Sequence, residues 1–277
     1  MPGKAVNIPA ALPDPEEMDV REIARAAAST DIDLVVVLGP TASGKTRYAV
    51  GLARALDAEF RTIEGAPKGR CEIISADSRQ VYRGMDIGTG KDLSEYGDVP
   101  VHLTDIMDAG QQYNVHDFCR DFREACVDIR SRGGFPILCG GTGLYINAVT
   151  LGYDFASRTP LSQPRDREGA DALKTFFIGT LVDRDTRNSR IDARLDARLQ
   201  EGMVDEVRGL LEKGVAAQTL ISYGLEYKYV TLHLLGELSY DKMRELLGIA
   251  IHQFAKRQMT WFRGMERSGA RIHWVRP

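Results

Sequence analysis

LVVVLGPTASGKT, residues 34–46, joins an apolar, β-branched run to a glycine-rich turn. Val35, Val36 and Val37 favour a buried extended strand, and Gly39 ends it. Gly44, Lys45 and Thr46 follow at the spacing GxxxxGK[ST]. In that spacing the glycines let successive backbone amides converge on an anion, and the Lys45 ammonium adds a mobile positive charge. The Thr46 hydroxyl is placed to meet a magnesium ion. Thr41, Ala42 and Ser43 supply the intervening amides, so Gly39 and residues 41–46 form a candidate phosphate cradle. Ala49, Val50, Leu52, Ala53 and Leu56 then recur at helical spacing, so a helix begins where the loop ends. A chance match in a glycine-rich turn would lack these flanking elements.

The 277 residues suffice for one large or two modest domains, and 43% hydrophobic content supports a buried core. A formal net charge of -3 gives no global sign of a nucleic-acid binder, although a local basic face is compatible with an acidic total. Cys71, Cys119, Cys126 and Cys139 show no CxxC pairing and the histidines are scattered, which speaks for buried thiols rather than disulfides or zinc. No apolar run approaches the roughly 18 residues needed to cross a bilayer, and the first residues lack a basic-then-apolar signal. The expectation is a soluble, cytoplasmic, monomeric protein with no membrane partner.

Outward from the cradle, residues 1–12 read as a disordered lead. A helix is expected next, capped by Asp14 with Pro15 at its first position. The charged, Gly- and Pro-containing stretch 59–70 reads as an exposed excursion. A second strand, residues 71–76, ends in Ser75-Ala76-Asp77-Ser78-Arg79-Gln80. In open parallel sheets the ligand crevice lies at the carboxyl ends of strands, so Asp77 is a site candidate; a local turn cap is the competing role. Residues 100–106 read as a third strand and 114–131 as an amphipathic helix. Residues 135–139 form a short strand that runs into Gly140-Gly141-Thr142-Gly143, where Thr142 offers a hydroxyl at another strand end.

A loop or boundary is expected over 151–173 and a strand over 174–182. Arg187, Arg190, Arg194 and Arg198 then share one helix face, which is either functional or simply solvated. The last long helix, about 240–267, has a core stripe that includes Phe254 and Phe262. From Arg244 onward there are seven Lys/Arg against two Glu, a stripe suited to an RNA backbone or to water. Ala270–Val275 reads as a closing strand. The fold class is α/β: a P-loop NTPase-like parallel sheet flanked by helices, with a helical C-terminal part. The expected divisions are an N-terminal extension (1–30), the P-loop core (31–182) and the helical part (183–277), whose closing strand returns to the core.

Five stretches together resemble the bacterial tRNA dimethylallyltransferases: GPTASGKT (39–46), ISADSRQVYRGMDIGTGK (74–91), GGTGLY (140–145), RIDAR with GMVDEV (190–207) and AKRQMTWFR (255–263). The resemblance implies that the cradle holds dimethylallyl diphosphate, with Mg2+, and that the prenyl group passes to the exocyclic amine of an adenosine beside the tRNA anticodon. It implies Asp77 as general base, with Thr142 and Arg190 assisting the departing diphosphate together with Lys45 and Thr46. Ser78, Arg79 and Gln80 would hold the acceptor base, and Lys256, Arg257 and Arg263 the RNA. Two stretches depart from the family pattern. Only twenty-three residues, 151–173, stand where a helical insertion is expected. Ile221–Lys228 reads ISYGLEYK, with Leu225 and Glu226 where an aromatic and usually a basic residue are expected. Free-adenylate isopentenyltransferases also lack the insertion, so AMP or ADP is the alternative acceptor. A P-loop kinase, or a non-catalytic diphosphate- or RNA-binding protein, would share the cradle; the retained Asp77 and Lys45 speak against the non-catalytic reading.

Overall fold

The computed structural model describes residues 12–154, 159–160 and 173–277. Leu34–Leu38 (β1), Cys71–Ser75 (β2), Val101–His102 (β3), Phe135–Gly140 (β4), Thr175–Thr180 (β5) and Ile272–Val275 (β6) form a six-stranded sheet. Its order is β6-β5-β1-β4-β2-β3, and every neighbouring pair is parallel. All five residues of β1 are fully buried, as a central parallel strand with helices on both faces requires. Its side chains alternate: Leu34, Val36 and Leu38 enter one apolar cluster, Val35 and Val37 the other.

Val20–Ala28 (α1) and Lys45–Phe60 (α2) cover the Val35 face. Val115–Ser131 (α3) and Gly143–Thr150 (α4) cover the opposite one. The later helices are Arg184–Gln200 (α5), Met203–Glu212 (α6), Ala217–Ser222 (α7), Leu225–Leu234 (α8) and Tyr240–Arg267 (α9). Their buried residues, among them Leu195, Tyr227, Leu247 and Phe262, join the same cluster as Leu34 and Phe118. The helical part therefore shares a core with one face of the sheet. The chain moves from β1 to β2 and β3, returns to insert β4, and then adds β5 on the other side of β1. This reversal opens a crevice at the carboxyl ends of the central strands.

Three local expectations need correction. The first helix starts at Val20, capped by Asp19, whose carboxylate accepts from the amides of Arg21 (2.9 Å) and Glu22 (3.3 Å). The residues before it lie along β6, where Glu16 N–H donates to Trp274 O at 2.6 Å. The third strand stops at His102 because Leu103 and Asp105 adopt φ of +62° and +54°, a left-handed backbone no strand accommodates. Met107–Asp108 pairs instead with Tyr82–Arg83 in a separate ladder. The stretch 59–70 is not simply exposed: the Phe60 ring packs on Phe135 with centroids 5.7 Å apart, and Ala66 is buried. By contrast α3 follows its sequence signal closely, with Asn114 and Asp117 forming a reciprocal capping box. The lead and most of 151–173 lie outside the described residues.

Candidate active site

The cradle bends where the sequence demands it. Ala42 and Gly44 take φ of +60° and +82°, and α2 starts at Lys45. A Cβ on Gly39 would fall 2.1 Å from Thr180 Oγ1, so only glycine fits there. Ser43 is fully buried and its Oγ lies 2.6 Å from Thr180 Oγ1; its side chain braces β5 instead of facing the crevice. Burial pushes the Lys45 ammonium below the ordinary lysine range. Asp77 partly opposes that shift, whereas Arg194 and Arg79 add to it.

Just past β2, Asp77 Oδ1 accepts from Arg79 N at 3.0 Å, the turn-capping role anticipated for it. Its carboxylate also lines a cavity of about 300 Å³ with Thr41, Lys45, Thr46 and Thr142. The two readings of Asp77 are thus compatible. Thr142 sits at the N-cap of α4 without capping that helix; its Oγ1 accepts from Ser78 N at 3.1 Å and ties the ends of β2 and β4 together. Ser78, Arg79 and Gln80 line the same cavity. Gln80 is steadied by Ser75, whose hydroxyl donates to it at 3.2 Å.

Among the arginines of α5, Arg194 and Arg198 line the cavity. Arg190 is exposed and absent from the lining. Four residues displace it about 6 Å along the helix from Arg194, so Arg194 and Arg198 stand at the cavity wall and Arg190 stands beyond it. Burial and the neighbouring Arg194 push Arg198 down to about 10, with Glu226 opposing. Glu226, in the altered stretch 221–228, is buried and ion-paired with Arg79 and, at 3.6 Å, with Arg198. Burial works against the Arg79 charge, but Glu226 and Asp77 outweigh it and raise its pKa. Phe254 is half-buried and lines the cavity instead of the core, its ring centre 5.8 Å from the Arg79 guanidinium and 5.9 Å from that of Arg257. Lys256 and Arg257 are exposed on α9, and Arg263 pairs with Glu266 at 2.6 Å; none of the three lines the cavity.

The family model for IPP transferase matches residues 80–174 and 155–265, two stretches that overlap over 155–174. tRNA dimethylallyltransferase 2 of Porphyromonas gingivalis is 45% identical to the chain over 294 residues, covering 87% of this chain and 93% of the relative. The chain belongs to the tRNA dimethylallyltransferase family.

Another relative of that name, from Syntrophotalea carbinolica, is 45% identical over 292 residues, covering 88% of this chain and 94% of its own length. Both alignments are longer than the 277-residue chain itself, so these relatives contain residues that this family member lacks. The crystal structure of full-length tRNA isopentenylpyrophosphate transferase from Bacillus halodurans matches with a TM-score of 0.70 at 30% identity, covering 88% of this chain and 89% of that one. The corresponding enzyme from Staphylococcus epidermidis gives 0.71 at 27%, covering 88% and 92%.

Within this dimethylallyltransferase-family chain, the cavity-lining residues missed from sequence include Thr89, Gly90, Tyr96, Tyr223 and Gln258. Gln258 stood inside AKRQMTWFR, but only its neighbours were singled out because they are charged. The loop 86–91 reaches the cavity through a contact invisible to local pattern. Glu206 of α6 accepts from the amides of Asp86, Ile87 and Gly88 at 2.8, 2.7 and 3.0 Å, and from Tyr227 Oη at 2.6 Å.

Proposed function

We propose that the chain transfers a dimethylallyl group from dimethylallyl diphosphate to the exocyclic amine of an adenosine in the tRNA anticodon loop. One observation carries this reading: a carboxylate, Asp77, and a phosphate cradle with its lysine line one small cavity together with the Thr142 hydroxyl. An exocyclic adenine amine is a weak nucleophile. Asp77 accepts its proton as the carbon–nitrogen bond forms and the allylic carbon–oxygen bond breaks. The diphosphate leaves carrying the bonding electrons. Lys45, the cradle amides at the start of α2, Thr142 and the guanidinium groups of Arg194 and Arg198 hold the charge that develops.

The target base must leave its stack to enter so small a cavity, at a lower cost in an unpaired loop than in a duplex. Gln80 and the Arg79 guanidinium, braced by Glu226, then hold it. Lys256 and Arg257 extend the exposed face of α9 toward the RNA backbone. The Thr46 hydroxyl, which lines the cavity beside the cradle, would hold a magnesium ion; among the described residues no cluster of His, Cys, Asp and Glu offers an all-protein site. When bound, that ion would add Lewis-acid stabilisation to the leaving group. In this reading the chain works in the cytoplasm as a monomer; separately, no described helix is long and apolar enough to span a membrane.

Free AMP or ADP is the second acceptor, favoured by the shortened segment 151–173. The length of the matches to tRNA-modifying relatives favours tRNA. Labelled dimethylallyl diphosphate incubated separately with tRNA and with AMP decides the matter. Label is expected in tRNA; label in AMP alone reassigns the acceptor, and label in neither removes the transferase reading.

A further inference from the structure

The buried residues of α9 are Met243, Leu247, Ala250, Ile251, Ala255, Phe262, Met265 and one polar residue, Gln258. A buried amide destabilises a fold unless both its ends are satisfied. Gln258 is 7% exposed, and its partners are informative. Its Oε1 accepts from Thr41 N at 2.8 Å, and its Nε2 donates to Gly141 O at 2.9 Å. The partners fix the amide's orientation, because the flipped form would set donor against donor and acceptor against acceptor.

One end of the amide therefore holds the phosphate cradle and the other holds the loop that carries Thr142. Thr41 precedes Ala42, which keeps a left-handed backbone that a non-glycine residue adopts only under restraint. Gly141 is matched to this contact. A Cβ there would fall 2.4 Å from Gln258 Nε2 and 3.4 Å from Gly39 O. Its neighbours answer other needs: a Cβ on Gly140 would strike Ala76 O at 2.4 Å, and one on Gly143 the Trp261 ring at 2.3 Å. Two of the three glycines in GGTG thus admit side chains of α9.

We infer that Gln258 is a positioning residue that spans the cradle and the Thr142 loop, so that Lys45 and the Thr142 hydroxyl address the same diphosphate. The inference rests on the proposed reaction for the identity of that diphosphate. No other common side chain does the same: glutamate lacks the donor and brings a negative charge beside the anion, and methionine fills the volume but leaves Thr41 N–H and Gly141 C=O without their partner.

The test uses the full chain with Gln258→Met, Gln258→Glu, Gly141→Ala and the double variant Gln258→Met/Gly141→Ala. Inorganic pyrophosphate is the calorimetric probe, followed by steady-state kinetics with dimethylallyl diphosphate and tRNA. Gln258→Met is expected to weaken pyrophosphate binding about tenfold, as the loss of two hydrogen bonds implies, and to raise the KM for dimethylallyl diphosphate in step. The KM for tRNA should move less than about twofold. Gly141→Ala should act in the same direction, and the double variant should lose no more than the worse single one, because both break the same contact. Gln258→Glu should regain pyrophosphate affinity relative to wild type as pH falls, since a protonated carboxyl again donates to Gly141 O.

Unchanged pyrophosphate affinity in Gln258→Met, additive losses in the double variant, or a pH-independent defect in Gln258→Glu would each overturn the assignment. Should Gln258→Met fail to fold, Gln258→Glu and Gly141→Ala decide it by the same readings. A wild-type chain that binds pyrophosphate but prenylates no acceptor refutes the proposed reaction and leaves Gln258 to be judged on affinity.

Discussion

The two ends of the sheet handle charge in opposite ways. At the amino ends, Glu72 pairs with Arg132 at 3.0 Å and His102 at 2.6 Å, and Asp98 pairs with Arg54 at 2.8 Å and Arg70 at 2.7 Å. Hydrogen bonds from Arg132 hold the Glu72 carboxyl below its usual range, outweighing burial, and His102 contributes in the same direction. At the carboxyl ends, Lys45, Arg194 and Arg198 line a cavity, and burial shifts Lys45 and Arg198 toward their neutral forms. Partnered charges are shifted toward ionisation and stabilise the fold. Lys45 and Arg198 are shifted the other way by burial, Arg198 in spite of its Glu226 partner, at a cost in stability that a bound anion would offset.

That contrast can be broken most forcefully at Asp77. Asp77→Asn should cut turnover by about a hundredfold or more, the usual worth of a general base, while pyrophosphate affinity changes little. Full turnover would end the assignment. Lys45→Ala comes next: truncating a buried cation on an anion site should weaken pyrophosphate binding by about thirtyfold or more, yet leave Tm unchanged or raised. A lowered Tm with unaltered affinity would make Lys45 a structural residue. The same lysine predicts a pH effect. A bound anion raises its pKa back toward normal, so binding takes up a proton between the free and bound values, and calorimetric affinity should fall as pH rises through the lowered free value.

On the outer face of α9, Lys256→Glu with Arg257→Glu should weaken tRNA binding about tenfold and flatten its salt slope by roughly one to two units, leaving pyrophosphate affinity intact. An unchanged slope would return that face to solvent. The smallest effect belongs to the amino end. Glu72→Gln should cost about 1 kcal/mol at pH 7 in chemical denaturation without touching turnover. Because the folded Glu72 pKa is depressed, its contribution is present above the unfolded value of about 4.3 and is lost as pH falls through the folded one. The gap between wild type and Glu72→Gln should therefore close in acid; a gap that persists would mean packing.

Local chemistry explains what was legible in the residues. β1, the bends of the cradle, the amphipathic helix from residue 114 and the closing strand near the end all depend on near neighbours, and all are present. The expectations that shifted depended on distant partners. Asp14 reads as the cap, but the pairing of Glu16 with Trp274 holds the residues before Val20 extended along β6, and Asp19 caps the helix instead. The strand after Pro100 was cut short where Lys91 forms an ion pair with Asp105. The arginine face of α5 was visible as a face, but which of its members reach the cavity depends on how α5 docks on α9. Glu226 looked like a departure from pattern until its two arginine partners gave it a role. Gln258 lies within AKRQMTWFR, but nothing local sets it apart from its charged neighbours.

The contact between Gln258 and Thr41 joins residues 217 positions apart, and β6, which completes the sheet, lies further on still. On the ribosome the cradle emerges well before the side chain that braces it. Long-range contacts of this kind close late in folding and slowly. A chain cut short before α9 keeps the whole phosphate motif and still lacks its brace, so truncated or nascent copies would compete poorly for prenyl diphosphate with finished ones.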